Sequence, residues 1–138
     1  MGLNYPAILI ATVLQFLFGA VWYTPIFGKV WGKIHGFDKV SKEKQQEMMR
    51  GMMPLFAIQI LGTLVTTFVL ALFLNGFPNQ WNAFGIAGWS WLGFIVPTQV
   101  SAVIFGGTEP KWIVKKILIM AGASLGCLMI AAAVLNAM

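Results

Sequence analysis

The chain has 138 residues, of which 59% are hydrophobic and 9% charged, with a mean hydropathy of +0.81. A soluble domain carries about 25% charged residues, so a water-facing globule is excluded and one small apolar bundle, a single domain over 1–138, is expected. The net charge of +5 comes from Lys and Arg confined to two segments between apolar stretches, a placement that sets membrane orientation or touches anionic lipid and argues against nucleic acid as a partner.

The opening Met1-Gly2-Leu3-Asn4-Tyr5-Pro6 has no basic region, and Pro6 stands where a myristoylation motif needs Ser or Thr. The apolar run that follows is too long for a signal-peptide core and reads as a retained helix. Uncharged apolar stretches fall at about 5–24, 53–74, 82–105 and 112–136. Each is near or above the roughly 20 residues that cross about 30 Å of hydrocarbon. Long runs without alternation favour helices over a barrel. The predicted class is therefore all-α: a polytopic membrane protein with four transmembrane helices.

Trp22-Tyr23-Thr24-Pro25 is expected to end the first helix, because proline disfavours helix in the residue before it. The segment 25–52 is the one long polar stretch. It carries Lys29, Lys33, Lys39, Lys42, Lys44 and Arg50 and is punctuated by Gly28, Gly32 and Gly36. Ser41 suits the N-cap of a following helix, with Glu43 in its first turn. Glu47 and Arg50 have the spacing of a helical ion pair. Met48, Met49, Met52 and Met53 read first as the entry into the second span, and second as an adaptable partner-binding surface. Pro54 fits the first turn of a helix.

The turn Asn75-Gly76-Phe77-Pro78-Asn79-Gln80 has no charge, and Trp81 marks the start of the third span. Trp89 and Trp91 lie deeper and are expected to pack against helices. Pro97 frees the carbonyl of Gly93 and predicts a kink. Gly85, Gly93, Pro97 and Ser101 form a small-residue stripe, and Gly106-Gly107 can end the helix. Lys111, Lys115 and Lys116 precede or enter the fourth span, where lysines can snorkel. That span holds Gly122 and Gly126 in a GxxxG pattern, which licenses close helix packing within the bundle or between subunits. Cys127 reads as a small core residue, and one thiol allows no internal disulfide.

Orientation follows from the basic residues. With the N-terminus outside, four spans place both basic segments in the cytoplasm and the C-terminus outside as well. Trp22, Tyr23, Trp31, Trp81 and Trp112 flank the spans at headgroup level.

No Asp, Glu, Lys, Arg or His occurs at mid-membrane depth, which argues against proton coupling through a buried carboxylate. His35 has no second ligand at a familiar spacing, so no metal site is expected. No nucleophile elbow, phosphate loop or acid–base pair is present; no catalytic residue, cofactor or enzymatic activity is predicted. The suggestive polar groups are Gln15, Gln59 and Gln99, one in each of three spans. Gln59 and Gln99 lie about six residues, roughly 9 Å, from the cytoplasmic ends, and Gln15 a little deeper, so the three could share a layer. Interhelical bonding is one reading of that layer. The other is a polar lining for a small solute or ion, with Pro97 and Thr98 beside it.

Three stretches carry a family resemblance: Asn4-Tyr5-Pro6-Ala7-Ile8-Leu9, Phe18-Gly19-Ala20-Val21-Trp22-Tyr23-Thr24-Pro25 through Phe27-Gly28-Lys29-Val30-Trp31, and Trp91-Leu92-Gly93-Phe94-Ile95-Val96-Pro97-Thr98. Together they resemble the small bacterial membrane proteins of the DUF-seventeen-sixty-one family (domain of unknown function), over essentially the whole chain. The resemblance implies a four-helix protein of the bacterial cytoplasmic (inner) membrane and supplies no established activity. The leading functional expectation is transport or permeation of a small solute or ion as a homo-oligomer. The alternative is an accessory or interaction subunit that stabilises a membrane complex or binds membrane lipid.

Overall fold

The computed structural model describes residues 2–77 and 82–138. Pro78, Asn79, Gln80 and the expected boundary residue Trp81 lie outside the described residues. Every regular element among the described residues is helical. α1 spans Tyr5–Val21, α2 Gly28–Ile34, α3 Lys42–Gly76, α4 Ala83–Ser90, α5 Val96–Phe105 and α6 Ile113–Ala137. All but α2 fall into four rods, Tyr5–Ile26, Lys42–Gly76, Ala83–Phe105 and Pro110–Ala137, each long and apolar enough to cross a membrane.

Two rods contain a π-turn. The first rod does not stop before Pro25. It continues through Trp22–Ile26, with the Phe27 N–H donating to the Trp22 carbonyl at 2.9 Å. In the third rod the π-turn covers Trp91–Ile95 and joins α4 to α5, with the Val96 N–H donating to the Trp91 carbonyl. A proline removes one helical donor and crowds the carbonyl four residues back. Widening the helix by one residue next to Pro25 and Pro97 accommodates both defects. The break expected at Pro25 is thus a widened turn, and Pro97 sits directly after another.

Several ends follow local chemistry. Asn4, Ser41 and Asn82 each accept a hydrogen bond from a backbone N–H three residues on, capping α1, α3 and α4. Gly36 and Gly107 adopt left-handed φ of 70° and 77° after α2 and α5, where a side chain would be strained. α3 begins at Lys42, well ahead of the apolar run. Pro54 therefore lies inside the helix rather than in its first turn. Glu47 and Arg50 form no ion pair; the ion pair among the described residues is Lys111–Glu109, at 3.5 Å on the surface.

The rods run alternately up and down around α6, which packs against α1, α3, α4 and α5. The core at the end near both termini joins Ala11, Leu70, Ala83, Ile86, Ala87, Leu128, Ala131 and Ala132. Alanine predominates because small side chains let helix backbones approach closely. The exterior is apolar as well, with Phe94 70% and Phe105 87% exposed. Trp89, expected to pack against helices, is 63% exposed instead. Gly93, Pro97 and Ser101 of the small-residue stripe are exposed too, so the stripe does not face α6.

Candidate functional site

Two glutamines of the rods bond across to neighbouring helices, Gln15 to α3 and Gln99 to α6. Gln15 of α1 is buried, only 3% exposed. Its carboxamide donates to the Thr67 hydroxyl of α3 at 2.7 Å and to the Ala11 carbonyl at 3.1 Å. The Thr67 hydroxyl in turn donates to the Thr63 carbonyl at 2.7 Å. The Gln15 carbonyl faces Cys127 of α6, whose thiol donates at 3.6 Å. Three residues back along α6, the Ser124 hydroxyl lies 3.3 Å from Gln99 Oε1 and 3.0 Å from the Ala121 carbonyl. Gln99 Nε2 reaches the Met120 carbonyl at 3.4 Å. A belt of side-chain and carbonyl contacts therefore crosses all four rods, and inside an apolar bundle each such group needs a partner.

Two tryptophans adjoin the belt. Each opens a π-turn, and each sends its indole N–H to the backbone of α6. Trp22 donates to the Ile119 carbonyl at 3.0 Å, and Trp91 to the Ala121 carbonyl at 2.9 Å and the Ser124 hydroxyl at 3.1 Å. Gly122 lies between these anchors on α6, and Gly126 just beyond Ser124. A Cβ on Gly122 would stand 2.7 Å from Trp22 Cζ2, and one on Gly126 would collide with the Phe18 ring. The GxxxG pattern thus receives two aromatic rings from the same chain, themselves in tilted contact with centroids 5.5 Å apart, rather than a second backbone. The wide ring of Trp22 thus makes an inward contact, one turn before the end of the rod at Ile26.

The predicted polar residues do not form one group. Gln15 and Gln99 join the belt at different points. Gln59 is exposed on α3, eight positions and about 12 Å before Thr67. Among the described residues no side-chain partner meets its carboxamide. The shared layer fails because Gln15 faces the two-turns-later position of α3. Pro97 and Thr98 are exposed on α5, and the Thr98 hydroxyl returns to the Phe94 carbonyl at 2.6 Å. Thr67, Ser124, Phe18 and Trp22 carry the site without having been singled out for it. The Thr63/Thr67 spacing of four was a faint signal for Thr67, since it puts both hydroxyls on one helix face.

At the end of the bundle near α2, the two basic segments meet. The Lys116 amine lies over the Trp31 ring at 5.8 Å, while Lys111 and Lys115 lie over Trp112 at 5.5 and 5.4 Å. Trp31 lies between Tyr23 and His35, with ring centroids 4.7 and 4.5 Å away and the planes tilted by 59° and 52°. The Gln45 carboxamide ties α3 to this end by donating to the Phe37 carbonyl at 2.9 Å.

Residues 6–136 match the family described as a protein of unknown function, DUF1761. No curated protein and no solved structure matches the chain.

Proposed function

We infer that this chain, which belongs to the DUF1761 family, is an integral protein of the bacterial cytoplasmic membrane that acts without catalysis, as a subunit holding a membrane assembly together. Four rods of spanning length and apolar exterior support insertion. The alternating wiring gathers every Lys and Arg at one end, where Lys116 over Trp31 links the two basic segments. By the positive-inside rule that end is cytoplasmic, and both termini lie outside.

The observation that carries the assembly role is the division of labour among the glutamines. A permeation path needs polar groups turned toward a solute. Gln15 and Gln99 instead turn to Thr67 and to Ser124, across contacts between rods. Gln59 is the exposed member of the set, on the outer surface of α3. A carboxamide facing hydrocarbon leaves strong donors and an acceptor unpaired, which favours association with another helix.

Reconstitution into vesicles separates this reading from permeation. The expected result is flux of ions and small solutes equal to that of protein-free vesicles, together with a laterally cross-linked complex in native membranes. Flux above that background, abolished by Gln15→Leu or Gln99→Leu in a folded protein, would overturn it in favour of permeation.

A further inference from the structure

The outer surface of α3 has two faces of different chemistry. Ile58, Leu61, Val65, Phe68 and Leu72 form an apolar, mainly aliphatic face, 65%, 61%, 61%, 37% and 45% exposed. Lipid chains match such a face without loss. Beside it runs a second stripe, Leu55, Gln59, Gly62, Thr66, Val69 and Phe73, every member exposed. Its spacing alternates four and three, the seam of a left-handed helix pair. Its middle is small and polar where the neighbouring face is aliphatic. A Cβ on Gly62 would meet nothing within 4 Å, so the chain itself leaves that notch open. The Thr66 hydroxyl is satisfied by the Gly62 carbonyl at 3.0 Å, which leaves the Gln59 carboxamide as the unsatisfied group of the stripe.

We propose that this seam is the contact with a second copy of the same chain, closed by a two-fold axis along the membrane normal, with Gln59 paired to the Gln59 of the other copy. This rests on the reading of the chain as a spanning assembly subunit. All copies of a protein with fixed topology present α3 in the same direction, so a two-fold axis brings identical positions together at equal depth. A carboxamide is both donor and acceptor, and two of them related by that axis close a reciprocal pair of hydrogen bonds. Acyl chains offer neither partner. Gly62, one turn on, permits the close approach that such a pair requires.

The test is disulfide trapping in native membranes, in a Cys127→Ala background that removes the native thiol. Gly62→Cys and Thr66→Cys each give a covalent dimer on mild oxidation, and Val65→Cys on the aliphatic face gives none. Adding Gln59→Leu to Gly62→Cys lowers trapping, with about a tenfold fall in dimer affinity for two lost interhelical bonds. Equal trapping at 62 and 65, or trapping indifferent to Gln59→Leu, overturns the seam. A lysine-reactive cross-linker serves as the second arm. Complexes caught by it but never through position 62 overturn the seam while leaving the assembly role standing. Monomer with both reagents overturns both.

Discussion

The indole of Trp22 lies across Gly122 with ring carbon Cζ2 at 2.7 Å from where a Cβ would stand. One turn away, the Phe18 ring occupies the same place over Gly126. The two rings are stiff and lie against each other, so neither can swing aside cheaply. Gly122→Ala and Gly126→Ala are each expected to cost about 1–3 kcal/mol through overpacking. Gly19→Ala, in open space on α1, is expected to stay within about 0.5 kcal/mol of the parent. Unfolding in detergent, followed by circular dichroism, checks the ranking. Phe18→Ala combined with Gly126→Ala recovers part of the loss if the collision is the cause.

Gln15 and Thr67 share one hydrogen bond between α1 and α3 at 2.7 Å. Gln15→Leu and Thr67→Val are each expected to cost about 0.6–2 kcal/mol, the range for bonds between helices in an apolar medium. Because the bond can be lost only once, the double variant costs less than the two singles together. Strict additivity in a double-mutant cycle would show that the contact contributes nothing.

Trp91→Phe removes the donor to Ala121 and Ser124, and Trp22→Phe the donor to Ile119. Each is expected to lower stability by about 1 kcal/mol for the net loss of a hydrogen bond. Ser124→Ala is milder, since Trp91 keeps the Ala121 carbonyl. A loss after Ser124→Ala larger than after Trp91→Phe would shift the weight of this contact to Gln99.

Much of the architecture is legible in composition, because an uncharged run of twenty residues has few alternatives. The four rods, the Ser41 cap and the glycine stop at 106–107 follow from local rules. The π-turns do not, since a one-residue widening leaves the pattern of apolar positions unchanged when every face is apolar. For the same reason the glutamines could be placed in depth but not in rotation. Depth counting put Gln59 level with Gln15, yet Gln15 selects Thr67 two turns further along α3. Threonine gave little warning, because in a helix its hydroxyl bonds its own backbone, as Thr63 and Thr66 do here. The glycine pair was visible as a motif, but a motif does not say whether a backbone or a ring will fill it.

Orientation has its own check. Cysteines at Lys33 and at Met138, each in the Cys127→Ala background, are expected to react differently with an impermeant thiol reagent added to intact cells. The one at 138 is labelled at once, and the one at 33 only after permeabilisation. The reverse pattern would invert the topology. Replacing Lys111, Lys115 and Lys116 together by Gln is expected to yield a mixed population, because it removes one of the two basic segments.

On the proposed topology, the gathering of all charge at one pole would also make the orientation of the molecule responsive to voltage. Asp38, Glu43, Glu47 and Glu109 sit in the same segments as the cations, so that pole carries the whole net charge of +5. Across an energised bilayer each elementary charge moved against 100 mV costs about 2.3 kcal/mol, so inverting the protein would cost on the order of 11 kcal/mol. Respiration itself would then act as a ratchet on insertion, and a de-energised cell would lose that safeguard while the newly made chain is still choosing its direction.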